Sequence, residues 1–266
     1  MEWENDPDLY PPYLRSRVRR GLGIGSRTSY RPWKNIQNSG TKGTVACVHG
    51  ILVDRRYEIL DDRARTYFFL IERSRHIADI RETWPILDID STLRLSQKFK
   101  VNHPRHDIFP EPLSVDFLIT ETGPADVRYR AVALVGCHHM SIRDRRLKQV
   151  QQQWCNDHDI DWTLVDTSQL DRTVLDALRF VRAWYRHRYV PDGRIADLFA
   201  ENFMAQYQNN LVLDDLVELA RKKLRIRADT ALDLFRFCAW SHRIPVSLTD
   251  RIAKNRPVVL RKVNDA

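Results

Sequence analysis

The feature that most constrains this chain is a change of hydrophobic period close to Thr167. Before it, SVDFLITET (114–122), YRAVALVG (129–136) and DWTLVD (161–166) read as strands, the last a further buried one. EILDDRARTYFFLIERS (58–74) and IRDRRLKQVQQQWCNDHDI (142–160) carry helical spacing, VACVHGILVDRRY (45–57) reads as a hairpin turning at His49-Gly50, and HIADIRETWPIL is a short extended segment. After Thr167 nearly every apolar residue recurs at three and four, as in TVLDALRFVRAWYRHRYV and DGRIADLFAENFMAQY. LDDLVELARKKLRI, ADTALDLFRFCAWSHRI and VSLTDRIAKNRPVVLRKV resemble a helix–turn–helix followed by a wing-like hairpin. The spacing predicts a flexible acidic tail over 1–14, a mixed α/β domain over 15–167 and an all-α, winged-helix-like domain over 168–266.

Charge narrows the class of partner. The 266 residues carry 43 Lys and Arg against 35 Asp and Glu, a formal net charge of +8, and arginine far outnumbers lysine. Guanidinium forks suit phosphate oxygens, so a polyanion such as DNA is the expected partner. The cations cluster: Arg17, Arg19 and Arg20 with Arg15; Arg143, Arg145, Arg146 and Lys148; and a third group from Arg221 to Arg227. No run of about 18 uncharged apolar residues exists, so no bilayer span is expected. The opening MEWENDPDLYPPYL lacks a basic then apolar signal, which points to the cytoplasm. Cys47, Cys137, Cys155 and Cys238 form no CxxC pair and read as reduced, packed thiols. The glycines of RRGLGIGSRTSYRPW follow no strand and precede no GK[ST], so that segment reads as an extended cover rather than a phosphate loop.

One arrangement suggests chemistry. An acidic residue on a strand, a turn, and a second strand with polar groups two apart is the layout of restriction-endonuclease-like domains. Period two puts those groups on one face beside the acid, where carboxylates hold Mg²⁺ and a lysine helps generate hydroxide. Asp116 in SVDFL fills the first slot, and the turn falls at Gly123-Pro124.

RRGLGIGSRTSYRPW (19–33), SGTKG, ADIRETWP (78–85), NHP (102–104), SVDFL (114–118) and the helix ending in Trp154 ahead of IDWTLVD occur in an order that resembles the TnsA family. That family supplies the endonuclease subunit of a bacterial heteromeric transposase. The resemblance spans about residues 15 to 170, with the helical second domain also similar. It implies Mg²⁺-dependent cutting of 5′ strands in double-stranded DNA at transposon ends. It also implies a TnsB-like DDE transposase and a TnsC-like AAA+ regulator as partners, and a place at the bacterial nucleoid.

Carried over residue by residue, the family's chemistry is thin. Its first acidic slot, counted back from Asp79, is Ala64; its metal-binding Asp is Asp116; its Gln/Glu and Lys slots fall on Leu134 and Gly136. Asp61 as a second metal ligand, Lys148 as the displaced lysine, and His138 or His139 as ligand or base are the available rescues. The expectation is a TnsA-like component that binds transposon ends and partner proteins, with 5′-strand cleavage lost or much reduced. The alternative is an active Mg²⁺-dependent endonuclease with a rearranged site.

Overall fold

The computed structural model describes residues 1–34, 46–123, 126–136, 140–188 and 190–261. The chain divides into two units, Met1–Gln169 and Leu170–Ala266. In the first, helix α1 (Pro12–Arg19) precedes a hairpin of β1 (Ala46–His49) and β2 (Arg56–Ile59), helix α2 (Asp62–Glu72), strand β3 (Ile77–Ile86) and helix α3 (Ile89–Lys98). A small hairpin, β4 (Arg105–His106) and β5 (Phe109–Pro110), leads to β6 (Leu113–Thr122), β7 (Val127–Val135), helix α4 (Ile142–Asn156) and β8 (Asp161–Asp166).

Four of these strands make one mixed sheet in the order β3-β6-β7-β8, antiparallel except for the β7–β8 pair. A parallel pair needs a crossover, and α4 supplies it. Val150 and Trp154 of α4 pack on that sheet with Trp84, Val115 and Leu118, and Leu95 and Phe99 of α3 join them. Phe68 and Tyr67 of α2 lie against Phe117.

The segment read as short and extended, 76–87, contains a ten-residue strand of the main sheet. It lies at the sheet's edge, which is why a proline at 85 is tolerated. Residues 21–33 cover it. Tyr30 donates its hydroxyl to Glu82 O at 2.9 Å, and Arg27 N donates to Asp79 Oδ2 at 2.9 Å. Gly23 has φ +74°, and a Cβ there would lie 2.4 Å from Pro85 Cγ, so only glycine allows the cover to sit this close.

Three expectations need correction. Residues 1–14 are no loose tail: Trp3 stacks on Trp84 and donates Nε1 to Pro85 O at 2.8 Å, while Tyr10 and Leu14 are buried. The acidic and proline content hid three widely spaced apolar anchors. DWTLVD is no buried strand but the far edge of the sheet, with Asp161, Thr163, Leu164 and Asp166 exposed. The hairpin over 45–57 turns through a longer loop, Gly50–Arg55, rather than at His49-Gly50. Helix α3 and the β4–β5 hairpin had no counterpart in the sequence reading. The buried face of α3 carries Thr92 and Ser96 beside Ile89.

The second unit is helical: α5 (Arg172–Arg182), α6 (Gly193–Ala205), α7 (Leu213–Leu224) and α8 (Ala228–Trp240). Asp171 and Asp192 cap the first two through their side chains. Leu178, Phe199, Phe203, Leu216 and Phe235 form its core with no exposed surface. Two isolated antiparallel bridges, Val212 with Pro257 and Val246 with Leu260, tie the segment after α8 back to the bundle. Cys155 and Cys238 are buried free thiols, each pushed up to about 12 by burial, and Cys47 is an exposed one. Cys137, Pro124 and the SGTKG motif lie outside the described residues. Among the described residues no helix is long and apolar enough to cross a membrane.

Candidate functional site

Period two in β6 buries Val115 and Phe117 and leaves Asp116 facing a cleft at the end of β7. Its Oδ2 accepts the Leu134 N–H at 2.7 Å and lies 3.8 Å from Lys148 Nζ. Lys148 gets there because α4 crosses back over the sheet after β7. The cleft is lined by Lys34, Glu111, Leu134, Gly136 and Lys148, among others. The carboxyl keeps 41% of its side-chain surface, yet the surrounding protein still raises its pKa above the ordinary carboxylate value. Desolvation is the largest cause; Lys148 and the Leu134 N–H oppose it, Asp61 adds to it, and Lys34 opposes it.

Lys34 is held by a strained residue. Glu82 pairs with Phe117 and Trp84 with Val115, which sets Thr83 opposite Asp116. Thr83 has φ +45°, a region that β-branched residues avoid. Its hydroxyl donates to Lys34 O at 3.1 Å and accepts the Lys34 N–H at 3.3 Å. The strained turn of backbone thus pins the end of the cover beside the acid.

Two of the three substituted slots, Gly136 and Ala64, have physical consequences beyond the lost groups. A Cβ built on Gly136 would lie 1.7 Å from Arg63 Nη1, so the guanidinium of α2 occupies the space where a side chain at that slot would begin. Ala64 is buried on α2 and offers no polar atom. Asp61 is the N-cap of α2, its Oδ1 accepting the Ala64 N–H at 2.8 Å. The arrangement is Asp116 with Lys148 and Lys34 beside it, Arg63 at the neighbouring strand end, and Asp61 adding negative charge from the start of α2.

Mg²⁺ is usually held by one or two carboxylates together with water and substrate phosphate oxygens. Asp116 offers one, with one oxygen already engaged, and the nearby ammonium groups repel a dication. Among the described residues no group of three or more His, Cys, Asp or Glu side chains is placed to hold a metal. His138 and His139 lie outside the described residues. The same cations suit an anionic oxygen such as that of a phosphodiester.

No protein-family model matches the chain. A comparison by sequence gives a relative, however: transposon Tn7 transposition protein TnsA of Escherichia coli. The chain is similar to a transposition protein. The two are 21% identical over 172 residues, which is 63% of this chain and 61% of TnsA. The aligned stretch therefore spans about three fifths of that relative's length.

The predicted residues separate into groups. Asp116 and Lys148 come together, while Leu134 contributes only its backbone N–H. Arg17 makes a bidentate pair with Glu111 at 2.8 and 3.0 Å, lies 3.5 Å over the Trp33 ring and donates to Trp33 O. Arg19, Arg20, Arg143 and Arg145 are exposed, and Arg146 is exposed with one donor on Lys100 O at 2.7 Å. Sequence reasoning missed Lys34, Arg63 and Thr83. The cation directly after the buried Trp33, and the one directly before Ala64, were the available signals.

Proposed function

We propose that this chain is a TnsA-like component of a DNA transposition machinery. It binds double-stranded DNA at transposon ends and partner transposition proteins, a TnsB-like DDE transposase and a TnsC-like AAA+ regulator, with 5′-strand cleavage lost or much reduced. The likeness to TnsA and the restriction-endonuclease-like order of Asp116, turn and β7 support the first part. The observation that supports the second is that Ala64, Leu134 and Gly136 bring no carboxylate, amide or amine side chain to Asp116, which faces Lys148 at 3.8 Å. The α7–α8 pair joined through Arg225–Arg227, with the bridges at Val212 and Val246, supports a winged-helix-like reading of the second unit.

The deciding measurement is nicking of labelled transposon-end DNA by the full chain with Mg²⁺. No strand scission above background is expected, with DNA binding intact. Mg²⁺-dependent nicking that disappears in Asp116→Ala would overturn this reading. It would favour a rearranged endonuclease in which Lys148, already 3.8 Å from Asp116, takes the displaced lysine's place.

A further inference from the structure

Beside the Asp116 cleft runs a second concavity of about 560 Å³, lined by Tyr13, Arg20, Lys34, Arg105 and Phe109 among others. Lys34 and Glu111 border both, so the two form one continuous path within the first unit. Of the carboxylates on this path, Glu111 is paired with Arg17 and accepts Trp33 Nε1 at 2.8 Å, while Asp144, at the cleft end, accepts from Ser141 Oγ at 2.6 Å. Arg20 and Arg105 are exposed, which leaves the path cationic.

The outer wall is the β4–β5 hairpin. Asp107 turns it with φ +54°, a conformation that Asp tolerates better than most residues. The tip presents Ile108 at 74% exposure and Phe109 at 45%, with the Phe109 ring stacked on Tyr13 at 4.8 Å. A β-branched residue and an aromatic ring are thus held out to solvent between Arg105 and the groove. Apolar side chains set among phosphate-binding cations are what proteins use to wedge open base steps and to stack on unpaired bases.

We infer that this groove is a DNA-strand site that nothing else assigns: Arg20, Lys34 and Arg105 follow the backbone away from Asp116, and Ile108 with Phe109 engages unpaired bases. It rests on the reading of the chain as a DNA-transaction protein. It departs from the cation list drawn from sequence, which omitted Lys34, Arg105 and the hairpin altogether. An extended strand is favoured over an acidic peptide because the platform combines cations with a stacked aromatic pair and runs into the cleft of a nuclease-like layout.

The test is fluorescence anisotropy of the full chain with a paired duplex and with the same duplex carrying an unpaired fork. The fork should bind about tenfold more tightly, the scale of one stacked base. Ile108→Ser and Phe109→Ala should each reduce that preference and leave duplex affinity within about twofold. Ile108 is exposed, so its replacement does not threaten folding. Arg105→Glu should weaken both DNAs and lower the salt slope by about one. Equal binding of fork and duplex, an unaltered slope in Arg105→Glu, or displacement of the fork by polyglutamate as readily as by DNA overturns the inference alone. Failure of the wild-type chain to bind any DNA overturns the functional reading beneath it.

Discussion

At the residue scale, Asp116 has opposing environments. The cleft takes water from its carboxylate while Lys148 and the Leu134 N–H favour the charge, and the first effect is larger, so the folded-state pKa is raised. A raised carboxyl pKa means that folding favours the protonated form. That stabilising contribution is full below the unfolded value near 3.9 and is lost as pH rises through the folded value. Asp116→Asn keeps an acceptor for Leu134 N–H and removes the ionised group. Its melting temperature should therefore exceed that of the wild type modestly at pH 7, and the gap should close as pH falls below about 4. Thermal melts across pH measure this, and a gap that widens in acid would contradict it.

Among the elements, the N-terminal strap and the β3 edge define the first unit's stability. Trp3 lies 5.4 Å from Trp84 and 5.7 Å from Trp154, tying the strap to the sheet and to α4 at once. Arg81, itself buried, donates to Met1 O at 2.7 Å. Trp3→Ala should cost the first unit about 2–3 kcal/mol, read from its denaturant midpoint, because it opens a hole between two large rings. Trp3→Phe should recover part of the loss. A change under about 0.5 kcal/mol, the scale of ordinary surface substitutions, would show that the stack carries no weight. The buried Arg55–Glu82 pair beneath the cover, with Arg55 over Tyr57 at 3.6 Å, is the other fixture of this edge. Removing one member leaves a buried charge without its partner.

For the whole molecule, two units with separate cores predict separate unfolding. Phe199, Phe203 and Phe235 pack on one another in the second unit's core. Residues 170–266 expressed alone should melt cooperatively, seen by circular dichroism, with a midpoint close to one of two transitions in the full chain. A fragment that stays unfolded would mean that its core is completed elsewhere.

Local order in the sequence was enough to determine element type wherever the apolar period was strong. The strands around Asp116 and Ala133, and the helix that carries Lys148, follow from alternation and from three-four spacing, because those patterns report which face is buried. The period failed where single anchors are far apart, as in the strap. Asp116 was legible because its neighbours alternate so regularly. Its surroundings were not: Lys34 is 82 residues from Asp116 and Arg63 is 73 from Gly136. Only the tertiary structure decided that Lys34, Arg63 and Lys148 meet at that strand end, since contacts between distant residues depend on how the sheet and helices stack.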